Sequence, residues 1–106
     1  MKKGTIKVSV FYPNSEGSTF DLDYYCNKHM PMVKNLLGDA LKSTGVDKGL
    51  VGGTPNQPAP YSAIGHLYFD SIADFQNSFG PHAQTIMADA ANYTNVQPSV
   101  QISEIQ

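Results

Sequence analysis

The chain has 106 residues, 41% hydrophobic, 15% charged and 10% aromatic, the composition of one folded domain with a single core and not of a disordered or collagen-like chain. A net charge of -2 with seven basic residues gives no basic surface for phosphates, so nucleic acid is not an expected partner. The one cysteine, Cys26, excludes an internal disulfide, and no signal-peptide core or long apolar run is present, so a reducing cytoplasm is the expected location and no membrane contact is expected.

Residues 5–12 alternate, with Ile6, Val8, Val10 and Tyr12 on one face, which predicts a first strand. The turn formers of 13–18 end it. Asp21, or Thr19 before it, is placed to cap a helix whose inward stripe is Leu22, Tyr25, Cys26, His29, Val33, Leu36 and Leu37. Pro31 removes a backbone donor inside that helix, so a kink or restart is expected near His29 and Met30, and Gly38 is the expected stop.

Residues 40–53 mix Leu41, Val46, Leu50 and Val51 with four glycines, which predicts an irregular strand with bulges or bends. Three prolines within 54–60 make the next stretch a loop, a candidate lid. Residues 61–69 read as a strand with Ala63, Gly65, Leu67 and Phe69 on one face and Ile64, His66 and Tyr68 on the other. Asp70 and Ser71 open a helix carrying Ile72, Phe75 and Phe79, Gly80 and Pro81 end it, and another helix from about His82 turns Ile86, Met87 and Ala90 inward. Residues 99–105 alternate as a last strand.

The order β-α-β-β-α-β is that of an α+β, ferredoxin-like fold, a four-stranded antiparallel sheet with helices on one face, here a single domain over 1–106. Apolar residues on both faces of the strands leave the second face in need of a cover, so a homodimer packed sheet to sheet, a dimeric α/β barrel, is expected.

Tyr25 and His29 are four apart and share the inward helix face. Burying an unpaired polar group costs about 1–3 kcal/mol, so His29 is either a core histidine bonded to protein or a pocket histidine. Imidazole titrates near ~6.5, which suits proton transfer at neutral pH, and a phenol beside it orients or donates. The catalytic candidates are therefore His29, with Tyr25 and His66 as orienting groups. Which sheet face carries His66 stays open, and on the other face it is an interface residue. His82 is either a helix-end residue or a ligand contact, and Tyr12, Tyr61, Tyr68 and Tyr93 are phenols that pack singly or together line an aromatic pocket.

Cys26 and His29 have a possible metal-ligand spacing, but no second cysteine pair and no HExxH accompany them, so no metal is expected. Gly49, Gly52 and Gly53 do not form a nucleotide-binding GxGxxG, and no cofactor is expected.

Val8-Ser9-Val10-Phe11-Tyr12-Pro13, Phe20-Asp21-Leu22-Asp23-Tyr24-Tyr25, Lys28-His29-Met30-Pro31, His66-Leu67-Tyr68-Phe69-Asp70-Ser71, Phe79-Gly80-Pro81-His82 and Tyr93-Thr94-Asn95 together resemble the EthD family across nearly the whole chain. The resemblance implies a small dimeric α/β-barrel protein of the kind associated with ethyl tert-butyl ether degradation, and it adds weight to His29, His66 and His82. The wider superfamily includes cofactor-free monooxygenases, cyclases and dehydratases, lactone isomerases and haem proteins, so fold does not settle function. The expected function is a pocket for a small apolar or aromatic metabolite with oxygenase, cyclase, dehydratase or isomerase chemistry. The alternative is a non-catalytic carrier or oxygenase-accessory protein, with haem binding at His29 or His82 as a narrower variant.

Overall fold

The computed structural model describes residues 2–106. Strand β1 (Ile6–Pro13) runs antiparallel to β3 (Tyr61–Phe69) on one side and β4 (Ser99–Glu104) on the other, and β2 (Ser43–Lys48) pairs with the far edge of β3. The sheet order β2-β3-β1-β4 with two helical crossovers is the ferredoxin-like arrangement. No helix among the described residues is long and apolar enough to cross a membrane.

The first crossover begins where the Asp21 carboxylate accepts the Tyr24 amide at 3.0 Å, satisfying a donor that the helix start leaves free. It runs through α1 (Leu22–Tyr24), a π turn (Tyr25–His29) and α2 (Met30–Leu37). The expected restart at Met30 is present, and Pro31 explains it. Its ring would press on the Asn27 carbonyl in a regular α-helix, and the wider turn, closed by the Met30 amide on the Tyr25 carbonyl, relieves that contact. Gly38, at φ 63°, ends the helix as expected.

The second crossover is α3 (Ile72–Phe79), capped by the Ser71 hydroxyl on the Asp74 amide, and α4 (Ala83–Ala88). The 3-10 turn Gly80–His82 links them, and another, Asp89–Asn92, follows. Between these helices and one sheet face lie Val8, Ala63, Leu67, Phe69, Val33 and Leu37, all buried.

Four details depart from the sequence expectations. β2 is a regular strand with no bulge; it ends at Lys48, with one further bond from the Gly49 amide to the Ser62 carbonyl at 2.9 Å, and Leu50 and Val51 beyond it are exposed, where the chain turns at Gly52 against the Gln57 and Pro58 backbone of the proline-rich loop. That loop is tied to the end of β1 by Asn14, whose Nδ2 donates to the Ala59 carbonyl at 2.9 Å and whose amide donates to Pro60, so it lies apart from the main cavity and is not its lid. Cys26 is exposed, because its neighbours Tyr25 and His29 take the inward stripe of the π turn. Ile72 and Met87 are also largely exposed, the first in the opening turn of α3 and the second at the rim of the cavity.

Candidate functional site

The sheet and the helices do not close completely on each other. A cavity of about 420 Å³ remains between them, a size that suits a small molecule. Apolar side chains such as Val8, Val33, Leu67, Phe79 and Ile86 form its walls, and the exposed Met87, Gln97 and Val100 stand at its rim. No charged side chain among the described residues lines it. Its polar end is an aromatic cluster of Tyr12, Tyr25, His29 and Tyr93.

The π turn arranges the first pair. Bonding from residue i to i+5 puts more residues in each turn, so side chains four apart lie more nearly one above the other. The Tyr25 and His29 rings stack with centroids 5.1 Å apart and planes 15° from parallel. Tyr25 reaches across to β3 at Gly65, where any Cβ would overlap its hydroxyl, so the missing side chain at Gly65 is what admits the ring. Tyr93 packs 4.7 Å from the His29 ring and bonds Tyr12, hydroxyl to hydroxyl, at 2.8 Å. Its segment is held in place by the Asp21 amide on the Tyr93 carbonyl at 2.7 Å and by the isolated bridge between Phe20 and Thr94.

His29 is 4% exposed and bound through one nitrogen only. Its Nδ1 lies 2.9 Å from Asp89 Oδ2, while Asp89 Oδ1 accepts the Tyr24 hydroxyl at 2.8 Å and the Asn92 side-chain amide at 2.9 Å. Burial raises the Asp89 carboxyl pKa, but the hydrogen bonds from Asn92, His29 and Tyr24 outweigh it, and the group is held below its ordinary value. Burial also lowers the His29 pKa, against the opposing pull of Asp89. An ionised carboxylate facing a neutral imidazole fixes the tautomer: Nδ1 carries the proton and donates it to Asp89, and Nε2 keeps its lone pair. No fully buried side-chain nitrogen or oxygen among the described residues lacks a partner, so the unbonded Nε2 reaches open space, and the space His29 lines is the cavity.

Tyr12, Tyr25 and Tyr93 are held as neutral phenols. Burial is the main cause in each and pushes the pKa upward.

Of the residues expected from sequence, the structure brings Tyr12, Tyr25 and His29 together in the cavity, and Tyr93 with them. It leaves four out. His66 and Tyr68 lie on the helix-free sheet face, because the strand period of two turns Gly65 and Leu67 toward the helices. There His66 Nε2 meets Asp47 Oδ2 at 2.7 Å and Nδ1 lies 3.5 Å from Ser9 Oγ, while Tyr68 lies beneath the Lys7 ammonium at 6.0 Å. Tyr61 follows the register shift at Tyr12/Pro13 and packs its ring on Phe11, 5.1 Å between centroids. His82 ends the turn between α3 and α4 and is absent from the cavity wall.

Sequence reasoning missed Asp89 and Tyr24. Asp89 is distant in sequence from His29 and no motif marks it; the adjacent Tyr24 was overlooked because it lies off the inward stripe. Cys26 and His29 point apart, and no group of three or more His, Cys, Asp or Glu side chains gathers as a metal site among the described residues.

The EthD domain family matches residues 18–97, which includes the capped helix, the π turn, β3, both later helices and the Tyr93 segment. The chain belongs to the EthD family. An EthD-like protein of Ralstonia eutropha JMP134 is 44% identical, with 97% of this chain and 93% of that one covered and a TM-score of 0.90. An 11.0 kDa protein from the thcB-thcC intergenic region of Rhodococcus erythropolis is 31% identical over 91 residues, 84% of each chain. At 19% identity an EthD family protein of Bacillus halodurans C-125 shares the fold, with a TM-score of 0.73 over 96% of this EthD chain and 99% of its own. A Thermobifida fusca protein described as dimeric and ferredoxin-like shares it more distantly, at 14% identity and a TM-score of 0.56 over 99% and 93%.

Proposed function

We propose that this EthD protein takes a small, neutral apolar or aromatic molecule into the cavity and that His29 moves a proton on it without a cofactor. The observation that carries the reading is the His29–Asp89 pair at the polar end of an otherwise apolar cavity, with Nε2 as the free acceptor. A base is useful when it is neutral at the working pH and held within reach of its substrate. Burial supplies the first condition and Asp89 the orientation, as stacking on Tyr25 does for the ring plane. Ligands with a carboxylate or phosphate are disfavoured, because no cationic side chain among the described residues lines the cavity to replace their lost hydration.

Titration with naphthalene followed by amide NMR tests occupancy. Shifts at Val33, Ile86 and Tyr93 are expected, and an unperturbed spectrum would remove the cavity reading. Once a substrate is in hand, His29→Ala should abolish turnover in a folded protein. An unchanged rate would remove the base and leave a carrier. Of the two haem-ligand candidates only His29 lines the cavity, and the reading expects no Soret shift when haem is added.

The same reading covers the helix-free face with a second copy of the chain. Phe11, Ile64 and Tyr68 are only half-buried there, beside the Ser9–His66–Asp47 contacts, and a partner sheet would take this surface from water. Sedimentation should give a dimer mass at micromolar concentration; a stable monomer would refute it.

A further inference from the structure

The geometry points to a neutral carbonyl compound with an acidic α C–H as the substrate class, its oxygen held by the free O–H of the Tyr12–Tyr25–Tyr93 hydroxyl cluster and its proton taken by His29 Nε2. This rests on the cavity reading above and adds to it the identity of the polar group that the ligand must carry.

Tyr12, Tyr25 and Tyr93 bring three phenolic O–H groups to one end of the cavity, and Tyr12 joins the other two, bonded to the Tyr93 hydroxyl at 2.8 Å and in hydrogen-bonding contact with that of Tyr25. Three O–H donors joined by two such bonds leave one O–H to donate elsewhere. No carboxylate lines the cavity to receive it, and Asp89 is already occupied by His29, Tyr24 and Asn92. The phenols stay protonated because burial raises all three, so they are donors throughout the neutral range.

The base is adjacent. The His29 ring is 4.7 Å from that of Tyr93, which in turn is 5.7 Å from that of Tyr12, so a donor and an acceptor face the same small volume. A ligand whose carbonyl oxygen accepts the free phenol O–H then presents its neighbouring C–H near Nε2. The C–H bond breaks, the proton forms an N–H bond on Nε2, and the electron pair moves onto the oxygen as an enolate. The phenol hydrogen bond strengthens as that charge develops, in a site with little water, which is where such a donor acts most. Return of the proton from Nε2 to another carbon, or to the oxygen, gives an isomer or an enol and restores neutral His29. The cycle consumes no oxidant, reductant or metal.

Naphthalene, 2-naphthol and 2-tetralone separate this inference from the one beneath it. 2-Naphthol has the shape of the enol of 2-tetralone, whereas naphthalene offers the same apolar body with no oxygen. The wild-type protein should bind 2-naphthol about tenfold more tightly than naphthalene, the effect of one added hydrogen bond. Tyr12→Phe, Tyr25→Phe and Tyr93→Phe combined should erase that preference while naphthalene still binds. In heavy water the protein should accelerate exchange of the α protons of 2-tetralone, and His29→Gln should abolish the acceleration while keeping the 2-naphthol preference. Naphthalene binding with no preference for 2-naphthol, or a preference with no accelerated exchange, overturns the carbonyl assignment and leaves the cavity reading standing. No naphthalene binding removes both.

Discussion

Asp89→Asn keeps the volume of the side chain and inverts one hydrogen-bonding direction. Asp89 Oδ1 accepts from Tyr24 and Asn92, so the amide oxygen of the variant stays on that side and its NH2 turns toward His29 Nδ1. Two donors then face each other unless the imidazole proton moves to Nε2. That shift turns the cavity-facing nitrogen from an acceptor into a donor and removes the base without touching the ring. A hydrogen bond to a charged group contributes about 1.5–3 kcal/mol and a neutral one about 0.5–1.5, so the exchange should cost roughly 1–2 kcal/mol. Little discount for solvent applies, since the two side chains are 5% and 15% exposed. For a domain of this size that is a fall in Tm of roughly 4–12 °C. Long-range proton–nitrogen correlation spectra read the tautomer directly. Wild-type His29 should carry its proton on Nδ1 and the variant on Nε2. A wild-type spectrum with the proton on Nε2, or a variant that keeps the wild-type tautomer, would refute the orientation of this site.

Three other outcomes are expected. Gly65→Ala forces a Cβ onto the Tyr25 hydroxyl; overpacking of this kind costs about 1–3 kcal/mol, so a lower Tm and a changed near-ultraviolet dichroism are expected, and an unaltered melting curve would show that Tyr25 is not seated there. The His29 pKa is lower folded than unfolded, so its stabilisation is present above about pH 6.5 and is lost as pH falls through the folded value, with a slope of up to about 1.4 kcal/mol per pH unit. Asp89, also lowered, adds a second loss that starts below its ordinary carboxyl range, and urea midpoints measured between neutral pH and pH 3 should show both stages in the wild type and lose the upper one in His29→Gln. His66→Ala acts on the opposite sheet face, so naphthalene affinity should stay at the wild-type value, and a loss of affinity would mean that the two faces communicate.

Much of the fold is legible in the residue pattern. The alternation of Ile6, Val8, Val10 and Tyr12 places β1, Asp21 and Ser71 mark the helix starts, and Gly38 marks an end, because each of these signals acts over a few residues of chain. β2 was harder to see. Its glycines read as bends, yet Gly45 sits in regular register opposite His66, since pairing with β3 outweighs the local preference.

The site divides along the same line. The i, i+4 spacing set Tyr25 and His29 on one helix face, and Pro31 announced a break in the helix, both consequences of local geometry that the sequence by itself determined. Only the packed structure decided which sheet face the helices cover. Once Tyr25 is seated on Gly65, the alternation of β3 sends His66 and Tyr68 to the other side. Asp89 joins His29 across sixty positions of sequence, and Tyr12 meets Tyr93 across eighty-one. Contacts of that separation leave no period or motif in the chain, because hydrogen bonding between distant side chains depends on where the helices and strands come to rest and not on spacing.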